Sequence, residues 1–279
     1  MKQSNSFQFI LILMIGSLFF SFSGNEGKSA ADGHQFNESY TGKNLDRVAF
    51  PIGGIGAGMF CMEGNGAISH LSVNNKPDVY NEPFAFAAIS VKGVENGAKV
   101  LESPVPTWKL FGAGGTGNGA GGRDYGLPRF RNGSFLPRFP FATLKLEDKD
   151  IPFQVEVLGW SPFIPTDEDN SSLPSGAFEY HFKNTSPNTV EAVFSYNAKN
   201  FLDNDGRILK ARNGFTMVTG NKDKFPVSET GFSVFVDDNS ATIDYCWFRG
   251  GWFDPLTMLW KNIKNRTIVN NAPVEGSAP

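Results

Sequence analysis

The chain has 279 residues and carries 25 Lys and Arg against 28 Asp and Glu, a formal net charge of −3. These charges are interspersed and form no basic patch, which excludes nucleic acid and an anionic membrane surface as partners. The 31 Gly and 17 Pro predict many turns between short strands rather than long helices. The 27 Phe favour the pleated, half-buried surfaces of β-sheets.

The first residues have the pattern of an export signal. Lys2 supplies a small positive region, an apolar run follows over residues 7–22, and small residues end the segment. The run is shorter than the roughly 20 apolar residues that a membrane-spanning helix needs. The sequence therefore predicts a signal peptide at residues 1–24, export to the periplasm or the cell exterior, and no membrane attachment after cleavage.

The next part of the chain predicts a flexible leader followed by one all-β domain. Residues 25–45 are polar and rich in Gly and Ser, which is typical of a mobile segment. Apolar and polar residues then alternate with period two, as over residues 142–147, 153–157 and 178–182. Such alternation places one strand face on a core and the other in water. We predict a two-sheet antiparallel β-sandwich over residues 46–279.

Two turn signals predict hairpins. Asn65-Gly66 accepts positive φ angles and stands between two apolar runs, which is the strongest short-range hairpin signal. The polar run at 237–240 separates the strand-like segments 232–236 and 241–248, which predicts a second hairpin.

One short helix is predicted near the C-terminus. Asp254 can cap it and Pro255 suits its first turn. Apolar residues then recur at i, i+3, i+4 and i+7, which predicts one buried helical face. These residues are Leu256, Leu259, Trp260 and Ile263.

The two cysteines, Cys61 and Cys246, both stand in apolar, strand-like stretches. Export permits a disulfide between them, but buried thiols are the interpretation that the apolar surroundings favour. Two cysteines without nearby histidines cannot form a structural zinc site. We predict no cofactor and no metal-binding residue.

Carboxylates occur in three small clusters. A glycosidase needs two carboxyl groups facing each other across a sugar, about 5 Å or about 6.5–9.5 Å apart. Asp also favours turns, because its side chain bonds its own backbone, and this is the interpretation we adopt. A small hydrolase that uses two of these residues remains an alternative. The clusters are Asp167-Glu168-Asp169, Asp203 with Asp205, and Asp237-Asp238.

The densest aromatic segment spans residues 245–253 and leads directly into the predicted helix. Trp and Arg beside a flexible Gly-Gly backbone are typical of interfaces. Core packing is nevertheless the interpretation that we favour for the segment, an interface with another domain is the second, and direct sugar contact is the third. The residues predicted to contact another domain are Trp247, Arg249, Trp252 and Asp254.

Three stretches resemble the N-terminal domain of glycoside hydrolase family 116, the family of the non-lysosomal glucosylceramidase (bile-acid β-glucosidase) and its bacterial relatives. They occur in the order that the family shows. The stretches are FPIGGIGAGMF at 50–60 followed by Gly64-Asn65-Gly66, SPFIP at 161–165 with DNSSLP at 169–174, and WFRGGWFD at 247–254 with Leu256-Thr257 and Leu259-Trp260.

This resemblance implies a supersandwich-like β-domain that packs on a C-terminal (α/α)6 barrel. In that family both catalytic carboxylates lie in the barrel, so the resemblance implies no catalytic residue in this chain. It further implies a sandwich that is incomplete at its C-terminal end. The expected function is the non-catalytic N-terminal module of a β-glucosidase or glucosylceramidase type enzyme. The expected partner is the catalytic domain or a downstream polypeptide, with β-glucosides as further candidate ligands.

A free-standing carbohydrate-binding, lectin-like sandwich is the alternative function. Aromatic side chains would then serve as stacking platforms for sugar rings. The candidates are Trp108, Trp160, Trp247 and Trp252.

Overall fold

The computed structural model describes residues 35–73, 76–79, 81–110, 124–202, 206–219, 230–247 and 255–274. Several predicted features lie outside these residues. They are the signal peptide, the leader up to residue 34, Asp203, Asp205, Arg249, Trp252 and Asp254.

Strands dominate the part of the chain that the structure describes, which confirms the predicted all-β class. The strands are β1 (Tyr40–Thr41), β2 (Ala49–Ile52), β3 (Met59–Glu63), β4 (Ile68–Ser72), β5 (Ala85–Val91), β6 (Ala98–Val100), β7 (Asn132–Arg138), β8 (Phe141–Glu147), β9 (Phe153–Trp160), β10 (Ala177–Asn184), β11 (Ala192–Ala198), β12 (Arg207–Ala211), β13 (Gly214–Val218) and β14 (Gly231–Phe235). The helices are a 3-10 helix (Gly42–Arg47), α1 (Thr107–Leu110), α2 (Glu168–Ser171) and α3 (Pro255–Asn265).

Two antiparallel sheets share the main core. The larger sheet has the order β1-β7-β8-β9-β10, and the smaller one has the order β11-β5-β6. Leu144 and Val155 from the larger sheet and Ile89 and Val91 from the smaller sheet belong to the same buried cluster. In β8, buried and more exposed residues alternate, as the period-two pattern predicts.

The smaller sheet is buried on both faces, because α3 covers the face turned away from the main core. All seven residues of β5 are buried. Phe86 and Ala88 of β5 form a second core with Leu259 and Ile263 of α3. The predicted C-terminal helix is thus confirmed, and it covers the outer face of the smaller sheet.

Two further three-stranded sheets accompany the sandwich, with the orders β2-β3-β4 and β12-β13-β14. The first contributes Ile52 and Met62 to the main core. Its β3–β4 pair is the hairpin predicted at Asn65-Gly66, with Gly66 at a φ of 99°. The sandwich thus carries more sheets than the two predicted.

The second predicted hairpin is wrong. Residues 241–247 form no strand, and β14 pairs with β13 instead. The reason is a competing contact with the C-terminal segment. The backbone N–H of Tyr245 donates to the carbonyl of Asn271 at 3.1 Å, and the Asn271 side chain donates to the Cys246 carbonyl at 2.8 Å.

The packed part of the chain begins before residue 46. β1 pairs with β7, and Leu45 of the 3-10 helix lies in the main core. Cys61 and Cys246 are both buried and are not joined in a disulfide, as predicted. Among the described residues, no helix has the length and apolar character needed to cross a membrane.

Candidate functional site

Two aspartates of the predicted carboxylate clusters, Asp167 and Asp238, hold turns. The Asp167 carboxylate accepts hydrogen bonds from the backbone N–H and the side chain of Asn170, at 3.0 and 2.6 Å, and caps α2. These bonds lower the pKa of Asp167. Asp238 accepts in the same way from the backbone and hydroxyl of Ser240, which lowers its pKa. Both residues therefore have the turn role that the sequence indicated.

A buried group of charged side chains, here called the ionic cluster, joins several elements of the fold. Its first half is centred on Lys109 of α1, which is 1% exposed. The Lys109 ammonium contacts both carboxylate oxygens of Glu63 at 2.8 and 2.7 Å and one oxygen of Glu82 at 2.6 Å. The Tyr125 hydroxyl donates to the other oxygen of Glu82. The full cluster comprises Glu63, Glu82, Glu102, Lys109, Asp124, Tyr125 and Arg129.

Burial and charge act in opposite directions on Lys109. Burial lowers its pKa, but the charges of Glu63 and Glu82 and their hydrogen bonds outweigh that effect and leave the pKa above its ordinary value. Lys109 therefore keeps its positive charge inside the protein.

The second half of the ionic cluster is centred on Arg129. Its guanidinium contacts Glu102 at 2.9 Å and Asp124 at 2.8 Å, and it also donates to backbone carbonyls in the segment 124–127. Burial raises the pKa of Glu102 to about 7, although Arg129 acts to lower it, and the nearby Asp124 charge raises it further. Glu102 thus takes up a proton more readily than an exposed glutamate.

The ionic cluster contains four carboxyl groups but only two cations. A cavity of about 20 Å³ beside it is lined by Asn65, Glu82, Glu102, Lys109 and Asp124 among other residues. A second cavity of about 10 Å³ also reaches Glu102. Each has room for about one water molecule and is too small for a sugar ring. Within the part of the chain that the structure describes, the cluster therefore ties the fold together, and the two cavities beside it are the size of a water molecule.

A second feature, here called the apolar face, lies where three segments meet. It comprises Ile55, Phe139, Phe141, Phe163, Ile164 and Leu173, all large apolar residues that are exposed. Ile55 is 57% exposed and Phe139 is 58% exposed. The rings of Phe139 and Phe163 pack edge to face, with centroids 4.9 Å apart. The face therefore joins the β7–β8 turn to the segment after β9.

Hydrogen bonds fix the segments that carry the apolar face. The Ile55 N–H donates to the Ser171 carbonyl at 2.8 Å, and the Gly53 N–H donates to the Ser161 hydroxyl at 3.1 Å. The Ile164 N–H donates to the Ser171 hydroxyl at 2.9 Å. Two of the stretches that resemble family 116, 50–60 and 161–174, are thus held side by side.

Gly54 permits the closest of these approaches. A Cβ atom at this position would lie 2.1 Å from the Leu173 carbonyl oxygen and 2.7 Å from the Ser172 carbonyl carbon. Any side chain here would push the two backbones apart.

We expect Gly54→Ala to lower the free energy of unfolding by about 1–3 kcal/mol, the usual cost of overpacking. Thermal unfolding followed by circular dichroism measures the change. Gly126→Ala is the matched control, because a Cβ atom at Gly126 meets nothing within 4 Å. Equal melting temperatures for the two variants would contradict the close contact at Gly54.

Trp247 and Trp108, two of the candidate sugar-stacking residues, contact other side chains and the backbone of this domain. Trp247 packs on Phe84, with ring centroids 5.9 Å apart, beside the second core that α3 forms. The Trp108 indole N–H donates to the Asp46 carbonyl at 2.9 Å, and two cations, Arg47 and Lys109, lie 5.4 and 5.5 Å from its ring. Trp247 contributes to packing, and its contact with another domain stays a prediction.

The indole N–H of Trp160 donates to the Glu179 carboxylate at 2.8 Å. The other predicted interface residues, Arg249, Trp252 and Asp254, lie outside the described residues.

Neither the ionic cluster nor the apolar face was predicted from the sequence. The one available signal for the ionic cluster is the presence of charged residues inside apolar stretches, such as Glu102 after β6. The apolar residues of the face have no sequence signal that separates them from core residues.

A family model described as beta-glucosidase 2, glycosyl-hydrolase family 116 N-term, matches residues 49–242. The match covers more than two thirds of the chain and includes the ionic cluster, the apolar face and every strand from β2 to β14. No curated protein matches the chain.

Proposed function

Because the chain belongs to the glycosyl-hydrolase family 116 N-terminal domain family, we propose that it is the non-catalytic module that supports a (α/α)6 catalytic domain. The enzyme would be of the β-glucosidase or glucosylceramidase type. The export signal predicted at residues 1–24 would place this module outside the cytoplasm.

The observation that carries the proposal is that acidic side chains in the described part of the chain form ion pairs or hold turns. Glycoside hydrolysis needs a pair of carboxyl groups with room for a sugar between them. The buried carboxylates of the ionic cluster instead contact Lys109 and Arg129, beside cavities of about 10 and 20 Å³. Asp167 and Asp238 hold turns. The chemistry would therefore come from the catalytic domain.

The test is hydrolysis of an aryl β-glucoside by the purified mature chain, with and without the polypeptide encoded immediately downstream. We expect turnover only when both polypeptides are present. Turnover by this chain alone would overturn the proposal and favour a small hydrolase. Quenching of the Trp fluorescence of this chain by millimolar glucosides, without any effect of the downstream polypeptide on turnover, would instead favour the lectin-like alternative.

A further inference from the structure

We propose that the apolar face is the surface on which the helical catalytic domain of the same enzyme docks. This inference rests on the proposed function and adds the location of the contact. It concerns the surface formed by Ile55, Phe139, Phe141, Phe163, Ile164 and Leu173.

The first argument is concentration. Fourteen large hydrophobic residues are exposed in the part of the chain that the structure describes, and six of them form the apolar face. Single exposed apolar residues are ordinary on a protein surface, whereas a contiguous group marks an interaction site. Contacts and backbone hydrogen bonds connect the segments that carry these six residues.

The second argument is rigidity. Ile55 lies on a glycine-rich loop, and glycine residues restrict the backbone very little. Its N–H is bonded to the Ser171 carbonyl, and the neighbouring Gly54 lies directly against the backbone of residues 172–173. A surface held in place before binding loses little conformational entropy on association. A surface held in this way suits association with the folded catalytic domain that the proposed function gives this chain.

The third argument is charge. Asp167, Glu168 and Asp169 come directly after the exposed Ile164 and lead into α2, whose last residue, Ser171, bonds Ile55. These carboxylates border the apolar face on one side, and Glu168 and Asp169 are exposed. An interface commonly has an apolar centre and a polar rim of complementary charge. The docking surface of the catalytic domain should therefore have an apolar centre with Lys or Arg opposite α2.

Association with the polypeptide encoded downstream tests the inference. We expect Ile55→Ser combined with Ile164→Ser to weaken binding by about tenfold or more in isothermal titration, because two large apolar side chains are removed from the contact. Phe235→Ser is the matched control, since Phe235 is 75% exposed but lies in β14 of another sheet. Unchanged thermal unfolding verifies that both variants fold.

Reversal of the rim charge gives an independent measurement. Glu168→Lys combined with Asp169→Lys should slow association, and the effect should fade as salt is added. Neutral substitution of Glu191, an exposed residue paired with Lys92 on another part of the surface, should leave association unchanged.

The outcomes separate the two proposals. If the original chain and the Ile55/Ile164 variant bind equally well, the location is wrong while the proposed function stands. Failure of the original chain to bind or to support turnover, or a downstream polypeptide without a helical barrel, overturns both. Self-association of the original chain that the Ile55/Ile164 variant loses would assign the face to a second copy instead.

Discussion

Replacement of Lys109 by methionine should lower the free energy of unfolding by about 3–5 kcal/mol at pH 8, because it removes the cation from a buried ionic pair. Lys109 contacts Glu63 and Glu82 at distances of 2.6–2.8 Å and is almost fully shielded from water. Methionine preserves most of the side-chain volume, so the loss reports charge rather than a cavity. Urea unfolding followed by tryptophan fluorescence measures the difference.

The matched control is Lys92→Met. Lys92 also contacts a glutamate, Glu191, at 2.7 Å, but both side chains are more than half exposed. An exposed pair contributes about 0–1 kcal/mol, so this variant should unfold almost like the original protein. Equal stabilities of the two variants would contradict the structural role of the ionic cluster.

The second large effect is a pH dependence that originates from Glu102. Its pKa is about 7 in the folded protein, against an ordinary value of 4.5. The folded state therefore binds a proton that the unfolded state has already lost between these two pH values. The stabilisation is complete below about pH 4.5, declines as the pH rises, and is gone above about pH 7, a total of about 3 kcal/mol.

Glu102→Gln should abolish this dependence, because glutamine carries no titratable proton. Chemical unfolding at pH 5, 6, 7 and 8 should show that the original protein loses stability across the series relative to this variant. Glu191→Gln, at an exposed glutamate, should follow the original protein. Parallel curves for the Glu102 variant and the original protein would mean that Glu102 is ionised throughout this range.

The parts of the fold that depend on local pattern could be predicted from the sequence. Alternation around Leu144 and Leu146 predicted β8, and the spacing of Leu259 and Ile263 predicted α3. These signals depend on residues that are close in sequence. The additional sheets could not be predicted, because period two predicts a strand without identifying its neighbour. The segment 241–247 was misassigned for the same reason, since Asn271 provides its contacts.

The ionic cluster and the apolar face could not be predicted from the sequence, for different physical reasons. Glu63 and Arg129 belong to one ionic cluster although more than sixty residues separate them, and only the fold brings their segments together. Ile55 and Phe163 lie in stretches that the resemblance to family 116 had selected. Their large apolar side chains would ordinarily indicate burial, and only the structure reveals that they face water.

The position of α3 has a consequence for how this protein folds during synthesis. Phe86 and Ala88 of β5 and Val100 of β6 emerge from the ribosome early, whereas the helix that covers them is encoded by residues 255–265. At a translation rate of 5–20 residues per second, the interval lasts about 10–30 s. Throughout that interval these side chains lack the helix that covers them, so the outer side of the smaller sheet is buried only after α3 has been synthesised.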